Sequence, residues 1–206
     1  YLRSQSGSEN TTIDLGDGRI TIANTNFGLE GFDIISSNSY AAILFIHNTG
    51  KDLSLTDIKL DYKIVYNLYS GGNQSTSSVF NIDGLETDRE IEFLYNNSSN
   101  NYNHGITCNF SDLNISVSDG NIFTLDNSDN NNYDNLGFTL NIDQSYLSAS
   151  NYVFYESIPY NELNVTCSIT NSIISGDLWT DNGGGASSGS FTFTGSVFTD
   201  AELYIQ

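Results

Sequence analysis

Residues 40–69, YAAILFIHNTGKDLSLTDIKLDYKIVYNLY, carry the clearest secondary-structure pattern in the chain. The segment opens on an uninterrupted apolar run, Ala41–Ile46, which is typical of a strand buried on both faces. After the turn-forming residues Asn48–Lys51 the period becomes two, which is typical of a strand with one face in a core. No helical spacing fits, so the pattern predicts a β-hairpin or two neighbouring strands. The apolar face comprises Ile58, Leu60, Tyr62, Ile64, Tyr66 and Leu68.

Composition predicts β structure along the whole chain of 206 residues. Tyr, Phe, Ile and Thr, which favour strands, are common, whereas Met is absent and Lys is rare. Alternating segments are separated by turn residues at short intervals, and we recognise no internal repeat. We therefore expect an all-β fold, a β-sandwich of immunoglobulin-like or jelly-roll-like type with about ten to thirteen strands.

The chain is strongly acidic, with six basic residues against 25 acidic ones and a net charge of −19. This charge repels phosphate backbones and anionic lipid surfaces, so nucleic acid and membranes are not expected as partners. No apolar run is long enough to span a membrane as a helix. A chain that begins at Tyr1 rather than Met is expected of a processed product or of a trimmed chain.

The two cysteines, Cys108 and Cys167, each lie on the apolar parity of a predicted strand. Two inward thiols on separate strands of a sandwich predict a disulfide, and the alternative is two buried free thiols. Two cysteines without matched histidines exclude a zinc site. We therefore favour secretion, where disulfides persist.

Residues 1–23 are interpreted as an arm that precedes a sandwich domain over residues 24–206. A local hairpin around Asp17-Gly18 is one interpretation of the arm. The other is a donor strand that pairs with the next copy of the chain, because strand addition needs an extended, alternating, terminal segment behind a flexible tether. The apolar residues that would fill the neighbour are Ile13, Leu15, Ile20 and Ile22.

Motifs for catalysis and metal binding are missing. The sequence has no Gly-x-Ser-x-Gly, His-Glu-x-x-His or Gly-Lys-Ser/Thr. His47 and His104 have neither a neighbouring nucleophile nor metal-ligand spacing. In residues 126–134 every second side chain carries an oxygen that could bind calcium, as in calcium-binding loops. Asn131 and Gly137, however, occupy the positions at which such a loop needs Gly and Glu. We expect no enzymatic activity, no cofactor and no metal.

Seven asparagines begin Asn-x-Ser/Thr triplets, about as many as the composition alone predicts. Some fall in predicted loops and the others have outward parity on predicted strands, so a secreted chain would carry N-glycans on them. They are Asn10, Asn73, Asn96, Asn97, Asn109, Asn114 and Asn164.

The segment Ala42–Gly50 followed by Leu53–Tyr62 resembles a hairpin of cellulose-binding sandwich modules, in which an apolar strand, an Asn-Thr-Gly turn and an alternating Leu-rich strand recur. It is equally similar to the outer β domains of archaeal surface filament proteins. The whole chain resembles subunits of the thin, glycosylated thread-type pili of archaea. That resemblance implies head-to-tail assembly by donor-strand complementation, with Thr11–Ala23 as the donor.

We therefore expect a structural subunit of an extracellular filament that polymerises with itself, carries N-glycans and serves adhesion. The alternative is a secreted carbohydrate-binding or adhesin module. That alternative needs exposed aromatic rings for sugar stacking, and the candidates are Tyr95, Tyr102, Tyr133 and Trp179.

Overall fold

The structure is a computed structural model, and it describes residues 1–47, 50–70, 76–97, 104–126, 136–157, 163–178, 180–181 and 188–202. All strands of these residues lie in two sheets, and every pairing between them is parallel. The all-β prediction is confirmed. The β-sandwich prediction is wrong, because the chain forms a parallel β-solenoid of about six turns.

The two sheets are named A and B. Sheet A contains β1 (Leu2–Arg3), β2 (Thr12–Asp14), β4 (Phe27–Ile35), β6 (Leu53–Leu60), β8 (Thr76–Thr87), β10 (His104–Val117), β12 (Leu136–Asp143), β13 (Tyr146–Tyr152), β15 (Leu163–Thr170), β16 (Ile173–Asp177), β18 (Ser188–Thr194) and β19 (Val197–Thr199). Sheet B contains β3 (Ile20–Ala23), β5 (Ile43–His47), β7 (Ile64–Ser70), β9 (Ile91–Asn97), β11 (Phe123–Asp126), β14 (Phe154–Ser157) and β17 (Thr180–Asp181). One 3₁₀ helix, Ser8–Asn10, lies between β1 and β2.

Each strand pairs with its equivalents one turn earlier and one turn later, and not with its neighbour along the chain. Leu55 in β6 is flanked by Leu29 and Ile82. Consecutive strands such as β5 and β6 lie in different sheets, so the hairpin predicted over residues 40–69 is wrong. β5 ends at His47 in sheet B, and β6 begins at Leu53 in sheet A. Parallel strands cannot be joined by a tight hairpin, and a solenoid supplies the longer connection.

In sheet A a left-handed residue recurs at the same position in the register of successive turns. These residues have φ between 50° and 79°, and each follows a residue whose side chain points outward. They allow the inward alternation to resume after a break, which lies within β4, β6, β8 and β10 and between the strands of the pairs β12–β13, β15–β16 and β18–β19. The column comprises Gly31, Asp57, Gly84, Asp112, Gln144, Asn171 and Gly195.

This column marks an internal repeat, so the expectation of none is wrong. Around it lie seven related segments, each with two inward apolar positions before the left-handed residue. Equivalent residues are between 24 (Cys167 to Phe191) and 32 (Cys108 to Leu140) positions apart. The segments are FGLEGFDII (27–35), LSLTDIKLD (53–61), FNIDGLETD (80–88), CNFSDLNIS (108–116), LNIDQSYLS (140–148), CSITNSIIS (167–175) and FTFTGSVFT (191–199).

In the last three turns a serine replaces the apolar residue that follows the left-handed position. Ser145 and Ser172 are buried, yet their hydroxyl groups are satisfied. The backbone N–H of Leu113 donates to Ser145 Oγ (3.1 Å), and the backbone N–H of Ser145 donates to Ser172 Oγ (3.1 Å). Each donor lies one turn earlier than its acceptor. Ser145 Oγ itself donates to the carbonyl of Asp143 (2.7 Å). This ladder therefore adds side-chain hydrogen bonds between turns without leaving a buried polar group unpaired.

The core between the sheets is rich in aromatic rings. Phe80 is fully buried, and ring centroids of Phe45, Tyr66, Phe93 and Phe110 lie 5.3–6.3 Å from its own. The stack continues into the later turns through Phe123, Phe138 and Phe154, which are also buried. These contacts tie turns together along the solenoid axis.

Candidate functional site on the outer face of sheet A

Two columns of outward polar side chains form the most regular surface of the described chain. One column comprises Ser54, Asn81, Asn109, Asn141 and Ser168, and the other comprises Asp83, Ser111, Asp143 and Thr170. Together they line a shallow, open groove of about 370 Å³, which we call the polar groove. That volume falls within the range of ligand sites in proteins.

Three asparagines in the first column form a chain of amide hydrogen bonds. Asn109 Nδ2 donates to Asn81 Oδ1 (3.0 Å), and Asn141 Nδ2 donates to Asn109 Oδ1 (2.9 Å). The chain forms because equivalent residues on adjacent parallel strands are only about 4.8 Å apart. Each Nδ2 carries a second N–H, and each Oδ1 a second lone pair. These amides can therefore bind a ligand while they remain fixed by one another.

The second column holds two carboxylates in place with hydroxyl groups. Ser111 Oγ donates to Asp83 Oδ1 (2.7 Å), and Thr170 Oγ1 donates to Asp143 Oδ1 (2.5 Å). Asn171 Nδ2 also donates to Asp143 Oδ1 (2.9 Å). The hydrogen bonds from Thr170 and then from Asn171 lower the pKa of the Asp143 carboxyl. Asp143 is therefore ionised at neutral pH and accepts hydrogen bonds.

The lining of the polar groove suits ligands that carry hydroxyl groups. Amides and hydroxyls both donate and accept, as sugar hydroxyls do, and the two carboxylates are strong acceptors. The lining contains no Lys, Arg, His or Cys, so it offers no cation to an anionic ligand. Among the described residues, no group of three His, Cys, Asp or Glu is placed to hold a metal ion.

The polar groove is not among the predicted sites, although the sequence contains a signal for it. The same order of residues occurs three times: a core residue, an asparagine, a second core residue, then Asp or Ser, and then the left-handed residue. The three segments are Phe80–Asp83, Cys108–Ser111 and Leu140–Asp143. Only the parallel register brings these asparagines side by side, and spacings of 28 and 32 residues concealed their equivalence.

The predicted donor strand forms the first turn of its own solenoid. β2 pairs with β4 in sheet A, and β3 pairs with β5 in sheet B, so the alternative of a local hairpin at Asp17-Gly18 is wrong. Ile22 is buried, and the other three residues are half-buried against the core: Ile13, Leu15 and Ile20. The boundary at residue 23 therefore does not separate an arm from the fold. Pairing of this segment with another copy stays a prediction.

Three of the predicted glycosylation sites, Asn109, Asn114 and Asn164, are exposed on sheet A. A glycan on Asn109 would occupy the nitrogen that donates to Asn81. Asn73 lies outside the described residues, as do the side chains of Asn10, Asn96 and Asn97. The same holds for Tyr102, Tyr133 and Trp179, for the side chains of Tyr95, His47 and His104, and for most of the loop 126–134. N-glycosylation stays a prediction.

The disulfide expected between Cys108 and Cys167 does not form, and both are buried free thiols. Both side chains point into the core from sheet A, but Leu140 lies between them in the register. Two strand spacings place their Cα atoms roughly 9–10 Å apart. A disulfide needs less than about 7 Å, so the backbone would have to move to form one.

We expect both thiols to be unreactive in the folded chain. Burial raises the pKa of Cys167 to about 12 and that of Cys108 well above its ordinary value, so the reactive thiolate is scarce. Ellman's reagent at mildly alkaline pH should detect no thiol before unfolding and both thiols in guanidinium chloride without reductant. As a control, Ser116→Cys adds an exposed thiol on β10 that should react at once. Rapid labelling of the native chain, or fewer than two thiols after unfolding, would contradict this expectation.

Comparisons with protein-family models, with curated proteins and with solved structures find no match to this chain. Among the described residues no helix has the length and apolar character to cross a membrane.

Proposed function

We propose that this chain is a glycan-binding segment of an extracellular β-solenoid, and that a polysaccharide lies in the polar groove along the solenoid axis. The observation that carries the proposal is the amide chain Asn81–Asn109–Asn141, flanked by ordered carboxylates and hydroxyls. Buried or pre-ordered polar groups discriminate strongly in favour of ligands that complete their hydrogen bonds. Because the side chains already hold one another in place, binding costs little side-chain entropy.

The dimensions of the groove favour a polymer over a single sugar. Its lining runs across five adjacent strands, from Ser54 on β6 to Ser168 on β15, which spans about 19 Å. Similar polar groups recur on each strand, so a chain of repeating units meets similar partners along its length. The net charge of −19 opposes sulfated or uronic-acid polymers, and we therefore assign a neutral polysaccharide.

The test is affinity electrophoresis of the unglycosylated chain in gels that contain neutral β-glucan, xylan or mannan, with polygalacturonate as the charged comparison. Asn109→Ala removes the middle amide and should weaken binding at least tenfold, about 1.4 kcal/mol. Asn114→Ala is the matched control, because this residue is exposed on the same strand but lies outside the groove. The proposal fails if no neutral polymer retards the chain, or if both variants lose binding equally.

A structural filament subunit is the second candidate function. The observation that favours it is that, among the described residues, β1 and β2 at one end of sheet A and β18 and β19 at the other have a parallel partner on one side only, since an unpaired strand edge is a template for another chain. Deleting residues 1–23 would not test this function cleanly, because the deletion removes strands that pair with β4 and β5 in the chain's own core. Negative-stain electron microscopy of the intact chain tests it directly, and a uniform field of single short rods would exclude it.

A further inference from the structure

A row of exposed apolar side chains runs along the outer face of sheet A beside the polar groove. It comprises Tyr146, Ile173 and Val197, and we call it the apolar strip. We propose that the apolar strip packs against the ring faces of the polysaccharide, and that the polymer is a β-linked ribbon of pyranose sugars. The proposal rests on the glycan-binding function given above, and it adds a second part to the site and a narrower class of ligand.

The apolar strip is continuous because its residues occupy one column of the parallel register. Tyr146 pairs with Ile173, and Ile173 pairs with Val197, so neighbouring residues lie about 4.8 Å apart. Tyr146 is 43% exposed and Ile173 is 47% exposed, although β13 and β16 each have a partner strand on both sides. Their exposure therefore belongs to the face of the sheet and not to an edge. A single exposed apolar residue needs no explanation, but adjacent ones form a patch that can bind.

The fold does not require apolar residues in this column. In four earlier turns the equivalent residues are polar or charged, and Lys59 Nζ forms a salt bridge there with Glu86 Oε1 (2.8 Å). The four residues are Asp33, Lys59, Glu86 and Asn114. A solvent-facing column that accepts charged groups in one part of the solenoid and is apolar in the next points to a ligand rather than to packing.

Polar columns flank the apolar strip on both sides. On one side lie Asp143 and Thr170, which also line the polar groove and precede Tyr146 and Ile173 by three residues. Three residues of extended strand span at most roughly 10 Å, so one ligand can contact both columns. On the other side, two residues further along each strand, lies a column of hydroxyl groups: Ser148, Ser175 and Thr199. The apolar strip is therefore one residue wide between two rows of hydrogen-bonding groups.

A pyranose ring has the matching arrangement of groups. Its two faces carry C–H bonds and are apolar, whereas equatorial hydroxyl groups project from its edges. A ring face can pack on the planar side chain of Tyr146 and on Ile173 while the hydroxyls of its edges reach the flanking columns. An apolar and aromatic surface with a few polar groups placed around it is typical of ligand sites.

The straight course of the apolar strip selects the linkage of the polymer. In a parallel solenoid equivalent residues repeat in a row, with one residue for every strand. A β-linked polymer of glucose or xylose is an extended, flat ribbon with equatorial hydroxyls, so successive rings can follow that row. An α-linked glucan coils, and its rings would leave the row after one or two units. We therefore assign β-glucan or xylan as the class of ligand.

Affinity electrophoresis of the unglycosylated chain tests this assignment. Tyr146→Ala removes the ring and should raise the dissociation constant for β-glucan or xylan about fivefold, whereas Tyr146→Phe keeps the ring and should bind like the natural chain. Ile173→Thr keeps the β-branched shape and should also weaken binding. Ile35→Ala is the matched control, because Ile35 is similarly exposed (40%) on the outer face of sheet A but lies four strand spacings from Tyr146. Soluble starch, which is α-linked, should retard the chain far less.

The results distinguish the apolar strip from the polar groove. If Asn109→Ala weakens binding but Tyr146→Ala and Ile173→Thr do not, the groove binds the glycan and the strip does not. If no neutral polymer retards the natural chain, both proposals fail. Weak binding by Tyr146→Phe, or an equal loss in Ile35→Ala, would overturn the role of the ring, and equal retardation by starch would overturn the linkage. The variants should melt within a few degrees of the natural chain, since the replaced side chains are exposed.

Discussion

Replacing Phe80 with alanine should lower the free energy of unfolding by about 3–5 kcal/mol. Phe80 is fully buried in β8 and contacts rings of β5, β7, β9 and β10, so its removal opens a cavity between the sheets. The neighbouring rings are held by parallel strands on both sides and have little freedom to collapse into that cavity. The loss therefore includes both the transfer free energy and the cavity term.

Urea unfolding followed by circular dichroism measures this loss. Phe80→Leu is the control, because it keeps most of the volume and should cost clearly less than the alanine variant. Phe198→Ala serves as a second comparison, since that ring is 38% exposed on β19, the last strand of sheet A that the structure describes. A loss below about 1.5 kcal/mol for Phe80→Ala would show that the aromatic stack does not hold the turns together.

Replacing Gly176 with alanine should cost about 2–4 kcal/mol, the second largest effect that we expect. Gly176 has φ of 107°, a conformation that side chains rarely adopt, and such strain costs on the order of 1–3 kcal/mol. An added Cβ would also lie 2.6 Å from the carbonyl oxygen of Ala149. The register between β13 and β16 shifts at this point, and the backbone of β13 passes directly over the glycine.

Gly16→Ala separates the two contributions. Gly16 also has a positive φ, 55°, but nothing lies within 4 Å of an added Cβ, so only the conformational cost of about 1–2 kcal/mol applies. Thermal unfolding of both variants and the natural chain gives the difference. Equal losses at the two positions would mean that β13 moves aside without cost, contrary to our expectation.

The sequence allowed the strands and their inward faces to be predicted, but not the way they pair. Ile58 and Leu60 are buried in β6, and Ile64 and Tyr66 in β7, as their alternation predicts. The alternation runs on across Asp61–Lys63, which conceals the corner where the chain leaves sheet A for sheet B. A turn that reverses the chain into a hairpin and a turn that carries it to a facing sheet use the same residues. Local pattern therefore gave no means to tell a sandwich from a solenoid.

The polar groove could not be predicted for a related reason. Asn81, Asn109 and Asn141 become neighbours only through a register between strands 28 and 32 residues apart. The disulfide prediction was wrong for the same reason. The alternation of apolar and polar residues placed Cys108 and Cys167 inward, but it did not reveal that β12 lies between their two strands. The face of the sheet on which a side chain lies follows from the local sequence, whereas the identity of the neighbouring strand does not.

The pairing of each turn only with the turns before and after it has a consequence for how the chain folds. No strand must wait for a partner from the far end of the sequence, since equivalent residues in sheet A are at most 32 positions apart. A nucleus of two or three turns can therefore grow by adding one turn at a time, like a one-dimensional crystal. During synthesis the early turns would already provide strand edges on which the later turns pair. Each added turn would then stabilise the folded part of the chain by a similar small free energy.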